Sequence, residues 1–163
     1  MRITIPRRSN KVKESHTEYG RNISRPSSVY ELFKTILRRE KRENPIDSKK
    51  EKFYTVGLNQ KNGIQFIELV SMGSLTAATV HPREVLRPVI IISCPSFICV
   101  HNHPSGNTTP SNDDLELTRS IRNAAEIMGI CMLDHLIIGY DPDAESELFN
   151  YLSIFEENSE FRA

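Results

Sequence analysis

The sequence predicts an α/β fold: a mixed β-sheet flanked by helices. Three observations carry this reading. Apolar residues recur at helical spacing around Leu32 and again around Ile121. An Asn62-Gly63 pair, a strong turn signal, separates two runs rich in β-branched and aromatic residues. Short apolar runs then alternate with helical segments, giving the order helix, hairpin, helix, strand, helix, strand. That order suggests a mixed α/β sandwich with a loop-borne site at a strand end.

Residues 1–24 are polar and aperiodic and read as a flexible basic arm ahead of a domain spanning 25–163. Pro26 through Arg39 reads as a helix, since Pro26 and Ser27 offer a start and Val29, Leu32, Phe33, Ile36 and Leu37 share a face. Residues 40–50 form a charged connector containing Asn44-Pro45. Lys52–Leu58 and Ile64–Val70 are the strands of the hairpin. Thr79 to Ser93 reads as a helix with Pro82 at its first position and a bend at Pro88. Phe97 to Val100 is a short buried strand that ends where two histidines begin.

Pro104 to Pro110 is a loop, dense in Pro, Ser, Gly, Asn and Thr. Leu117, Ile121, Ala124, Ala125 and Met128 make one apolar helical face, closed by Gly129. Leu133 to Ile138 reads as a strand, and Leu148 to Phe155 as a final strand or helical turn.

The 163 residues suit one domain, and 38% hydrophobic content is low but sufficient for a core. The net charge is zero, yet residues 1–50 hold 14 Lys or Arg against 6 Asp or Glu, and residues 51–163 hold 7 against 15. A basic N-terminal part of this kind attracts nucleic acid or an acidic partner, or is simply a solvated leader. No apolar stretch is long enough to span a bilayer, and Arg7 and Arg8 interrupt any signal-peptide core, so a cytoplasmic chain is expected. Cys94, Cys99 and Cys131 form no paired-thiol motif and sit among apolar residues, as reduced core cysteines do.

The chemistry concentrates in His101-Asn102-His103-Pro104-Ser105-Gly106. On a strand, residues two apart point to one side, so His101 and His103 present two imidazoles to one ion. A loop separates them from Asp114, which opens the next helix and can be folded back to the same point. Two His and one Asp suit zinc and leave a fourth position for water, whose pKa the ion lowers toward neutrality. Ser111, three residues before Asp114, also fits an imperfect capping box, and a cap there would fix the helix start that aims Asp114. Asn102 is placed to bond a neighbouring backbone group, with no role that follows from sequence. His135 suits either support of a metal-bound histidine or a structural pair with Asp134. His81, beside Pro82, suits a helix cap or packing.

The run from His101 to Gly106, followed by Pro110-Ser111-Asn112-Asp113-Asp114, resembles the RadC-type branch of the JAB/JAMM (MPN-type) metalloprotease superfamily. Val80-His81-Pro82-Arg83-Glu84 and Leu133-Asp134-His135-Leu136-Ile137-Ile138-Gly139 look like further landmarks of that branch, and the likeness covers roughly residues 26–155. The resemblance implies a three-layer, cytidine-deaminase-like architecture. It implies His101, His103 and Asp114 as zinc ligands, Ser111 as a group that holds the tetrahedral intermediate, and an upstream Glu as general base. In such chains that acid opens the first strand in a Glu-x-Phe setting, which Glu51-Lys52-Phe53 matches. Glu68 and Glu84 are the competitors. The helix-hairpin-helix region usual in the branch finds no room in the arm.

The resemblance implies a zinc-dependent hydrolase of peptide or isopeptide bonds, with a protein or peptide substrate of unknown identity. The alternative is a DNA-repair or mobile-element accessory protein that binds nucleic acid through its basic residues 1–50. Zinc deaminase chemistry is set aside, because it needs His-x-Glu and Pro-Cys-x-x-Cys. The oligomeric state is left open by the sequence, although an exposed hairpin edge could pair.

Overall fold

The computed structural model describes residues 21–73, 80–142 and 149–161. Most of the expected arm therefore lies outside the described residues, as do Thr79 and Leu148. The last residues assigned to the arm are anchored rather than free-running. Asn22 bridges to Gly63, Ile23 N–H donates to the Asn62 carbonyl at 2.8 Å, and the Ile23 side chain is buried.

Helix α1 (Pro26–Glu43) starts with proline in its first turn, where a missing N–H costs nothing. Its buried face is Val29, Leu32, Phe33, Ile36 and Leu37, as the spacing predicts. It runs one turn beyond the expected Arg39 because Glu40 is held. The Glu40 carboxylate receives the buried Lys52 ammonium and the Tyr54 hydroxyl, each at 2.7 Å. Asn44 and Pro45 then stop the helix, and Asp47–Lys49 form a single 3-10 turn.

Strands β1 (Lys52–Leu58) and β2 (Ile64–Met72) pair antiparallel. At their turn Asn62 takes a left-handed conformation with φ 57°, and Asn59 Oδ1 accepts from the N–H groups of Lys61 and Gly63, both at 2.9 Å. Helix α2 (Pro82–Ile92) follows, with Pro88 buried inside it.

Strand β3 (Ser96–His103) is longer than the expected Phe97–Val100 and carries both histidines within it. It pairs antiparallel with β1 on one side and parallel with β4 (Cys131–Tyr140) on the other, so backbone partners hold it extended up to Pro104. Helix α3 (Asn112–Ile127) makes the crossover that a parallel pair requires. Strand β5 (Phe149–Ser153) and a short helix α4 (Ile154–Glu157) realise both of the forms expected for the last segment.

The sheet order is β2-β1-β3-β4-β5. Helix α1 covers one face through Tyr54, Val56, Val100 and Leu136. Helices α2 and α3 cover the other through Phe53, Cys99, Val85 and Ile121. The result is the expected α/β arrangement of three layers. One cysteine departs from expectation: Cys94 and Cys99 are buried, but Cys131 is exposed. It opens β4, where side chains alternate between solvent and core.

Gly139 faces His103 across the β3–β4 pair and Asn150 across the β4–β5 pair. A Cβ there would overlap the Asn150 side chain and the Gly106 carbonyl. A main-chain oxygen cannot swing aside as a side-chain end can. Gly139→Ala is therefore expected to destabilise the protein by about 1–3 kcal/mol, read as a lower midpoint in denaturant unfolding. An unchanged midpoint would show that the loop after His103 is not packed against β4.

Candidate metal centre

Phe53, His101 and His103 lie on the α2–α3 side of the sheet. The Phe53 ring stacks on His101 at 6.0 Å and meets His135 edge-on at 5.3 Å. His101 is fully buried, and His103, one pleat further along, keeps a partly exposed ring.

Asp114 is the third residue of α3. Ser111 caps the helix and forms a complete capping box: its Oγ accepts from the Asp114 N–H at 3.1 Å, and its own N–H donates to Asp114 Oδ2 at 2.8 Å. The same Oγ donates to Oδ2 at 2.6 Å. Cap and ligand aim are thus one feature. With Oδ2 held by Ser111, Oδ1 is the oxygen turned to His101, 3.3 Å from its Nε2.

Three atoms able to ligate a metal converge here. The His103 Nδ1–H must donate to the Asn107 carbonyl at 2.7 Å, which leaves a lone pair on Nε2. That Nε2 lies 2.9 Å from His101 Nε2 and 3.7 Å from Asp114 Oδ2. Ligand atoms of His101, His103 and Asp114 all fall within 4.8 Å of one another. Tetrahedral zinc with bonds near 2.0–2.1 Å requires ligand separations of about 3.3 Å, and the observed distances straddle that value. A group of His101, His103 and Asp114 can therefore hold a metal ion, and a cation would relieve the crowding of buried acceptors.

The three carboxylates considered as general base differ in setting. Continuing the β1–β3 register by one pair sets Glu51 opposite His103, on the same side of the sheet as Phe53. Asn102 supplies the role that sequence did not reveal. Buried between the two histidine positions, its Oδ1 accepts from the Lys52 N–H at 2.9 Å and its Nδ2 donates to the Lys50 carbonyl at 3.3 Å. The peptide carrying Glu51 is thus clamped on both sides. Glu68 instead pairs with Arg87 at 3.2 Å, and Glu84 with Arg83 at 3.3 Å, on the exposed flank of α2.

His135 does not pair through its ring with Asp134. Asp134 accepts from the His135 backbone N–H at 2.7 Å and from Ser153 Oγ, whereas the His135 ring contacts His101 and Thr118. The expected pairing with Asp134 is thus made by the His135 main chain, and the ring is turned to His101 and Thr118. Thr118 went unnoticed in the sequence; its signal is the spacing of four from Asp114, one helical turn. His81 stands at the N-cap of α2 and makes no side-chain cap bond. A cavity of about 990 Å³ opens elsewhere, lined by Pro26, Arg122, Met132, Asp134 and Phe155, and involves none of the candidate ligands.

Comparison with known proteins agrees with this geometry. The family described as "RadC-like JAB domain" matches residues 23–154. A UPF0758 protein of Methanosarcina mazei is 44% identical over 122 residues, covering 75% of this chain and 50% of that protein. One from Syntrophotalea carbinolica is 41% identical over 128 residues, covering 78% and 56%. One from Geobacter sulfurreducens is 50% identical over 114 residues, covering 70% and 46%. The chain spans about half the length of the curated relatives it matches.

Two outcomes are expected. Ser111→Ala removes the cap and should lower unfolding stability by about 0.5–2 kcal/mol; no loss in chemical denaturation would deny the capping box its weight. The second concerns pH. Burial pushes His101 down to about 4, against the pull of Asp114, and holds His135 well below an ordinary histidine. Below about pH 6.5 the unfolded chain takes up protons that the metal-free folded chain refuses, so stability falls as pH falls, by up to about 1.4 kcal/mol per pH unit per histidine. Urea unfolding of metal-free protein between pH 7 and 5, above the range of most carboxylates, should show that decline, and a flat profile would contradict it.

Proposed function

The chain belongs to the RadC-like JAB domain family, and from that premise we propose that it is a zinc-dependent hydrolase of peptide or isopeptide bonds. The observation that carries this reading is the convergence of His101 Nε2, His103 Nε2 and an Asp114 oxygen, with His101 and Asp114 deeply buried. Zinc bound there would polarise a substrate carbonyl and bring the pKa of a coordinated water near neutrality.

The chain's own groups divide the remaining work. His101, His103 and Asp114 bind and orient the ion. Glu51 is the general base, taking a proton from the attacking water and handing it to the leaving amine. Its register opposite His103 and the Asn102 clamp on its neighbours support that assignment over Glu68 and Glu84, whose carboxylates face arginines on α2. Ser111 aims Asp114. Its second task, holding negative charge that develops on the substrate carbonyl, requires its hydroxyl proton to turn from Asp114 Oδ2 toward the substrate.

Purified protein is expected to carry about one zinc per chain (three protein ligands, one open position), and His103→Ala and Asp114→Ala to lose it. Glu51→Gln should retain zinc and cleave a fluorogenic peptide library about 10²–10⁴-fold more slowly than wild type. Zinc retained by His103→Ala would remove the site, and full activity in Glu51→Gln would remove the base.

A further inference from the structure

The inference that follows rests on the metal-binding reading above. Thr118 Oγ1 has one proton and two partners. It lies 2.6 Å from the Asp114 carbonyl oxygen and 2.6 Å from His135 Nδ1. The other nitrogen of His135, Nε2, is 2.8 Å from His101 Nδ1. His101 Nε2 then faces His103 and Asp114. A chain of hydrogen bonds thus leaves one candidate ligand and returns to the main chain of another. Thr118, His135 and His101 are all fully buried, so the chain must satisfy itself.

A neutral imidazole carries one N–H, and this gives the chain only two directions. In the first, Thr118 donates to His135, His135 donates to His101, and His101 bears its proton on Nε2, in the position of a metal ligand. In the second, Thr118 donates to the Asp114 carbonyl. His135 Nδ1–H then donates to Thr118, His101 Nδ1–H donates to His135, and His101 Nε2 is bare. The carbonyl can only accept. Its 2.6 Å approach to Oγ1, short even for an O–H···O bond, requires the threonine proton between them, which selects the second direction.

We propose that Thr118 and His135 are positioning residues that set the tautomer of His101, so that its Nε2 is presented to the metal as a lone pair. The Thr118 hydroxyl is the switch point. Because Thr118 stands one turn after Asp114 on α3, the bond that fixes the tautomer also ties down the turn that carries the second ligand. Two ligands from separate elements, β3 and α3, are thereby registered to each other through β4.

The competing account is that Thr118 and His135 merely fill space. Thr118→Val keeps the shape and removes the proton; Thr118→Ser keeps the proton and removes the methyl group. Zinc affinity measured by chelator competition should fall about 10–100-fold in Thr118→Val and stay within a few-fold of wild type in Thr118→Ser. Two-bond ¹H–¹⁵N spectra of zinc-loaded wild type should show the Nδ1–H tautomer at both His101 and His135. This second measurement decides the matter should Thr118→Val fail to fold. An Nε2–H tautomer at His135 in the loaded protein, or wild-type affinity in Thr118→Val, would overturn the relay and leave the metal site standing. Failure of wild type to bind zinc at all would remove the metal reading and the relay with it.

Discussion

A fully buried imidazole needs partners for both of its nitrogens, and meeting that demand at His101 dictates much of what surrounds it. One nitrogen is met from β4 by His135, and the other faces His103 Nε2 and Asp114 Oδ1, where a bound cation would satisfy all three at once. The ring is walled by Phe53 from β1. Three neighbouring strands and α3 must therefore hold fixed register for one side chain to be tolerated in the core. An unsatisfied polar group there would cost about 1–3 kcal/mol, comparable to a substantial part of the stability of a domain of this size. The same demand turns a structural burden into a site: the nitrogen that the protein leaves facing other ligand atoms is the one an ion would satisfy.

Much of this was legible in the sequence because it depended on local spacing. Alternation along a strand put His101 and His103 on one side, and Ser111 three before Asp114 announced a helix start. The α/β class followed from helical periodicity and the Asn62-Gly63 turn. What stayed hidden depended on contacts between distant segments. The strand bearing the histidines looked short because its apolar run stops at Val100, and its full length follows from backbone partners on β1 and β4. The Asp134 carboxylate turned to Ser153 and to backbone N–H groups, which freed the His135 ring for His101. No local pattern could reveal that choice. Asn102 likewise acts on residues fifty positions away.

Around the site, the polar groups that are not candidate ligands are satisfied by one another and by the main chain. Asn102 occupies the pleat position between the two histidines and spends its amide on the β1 backbone. Ser111 spends its hydroxyl and N–H on Asp114. Each group that is not a candidate ligand orients one that is, or orients the segment carrying Glu51. Such an arrangement is what a preorganised centre requires, since first-contact groups left to side-chain freedom lose geometry and affinity. It also explains why Gly139 must lack a side chain: β4 comes close enough to the loop after His103 to touch its backbone.

The central claim is that His101, His103 and Asp114 bind zinc through nitrogen and oxygen alone. X-ray absorption at the zinc edge of the loaded protein tests it most directly. A first shell of nitrogen and oxygen at about 2.0–2.1 Å, with the multiple-scattering pattern of two imidazoles, is the predicted result. A scatterer at about 2.3 Å, the zinc–sulfur distance, would place the ion on cysteine and contradict the account.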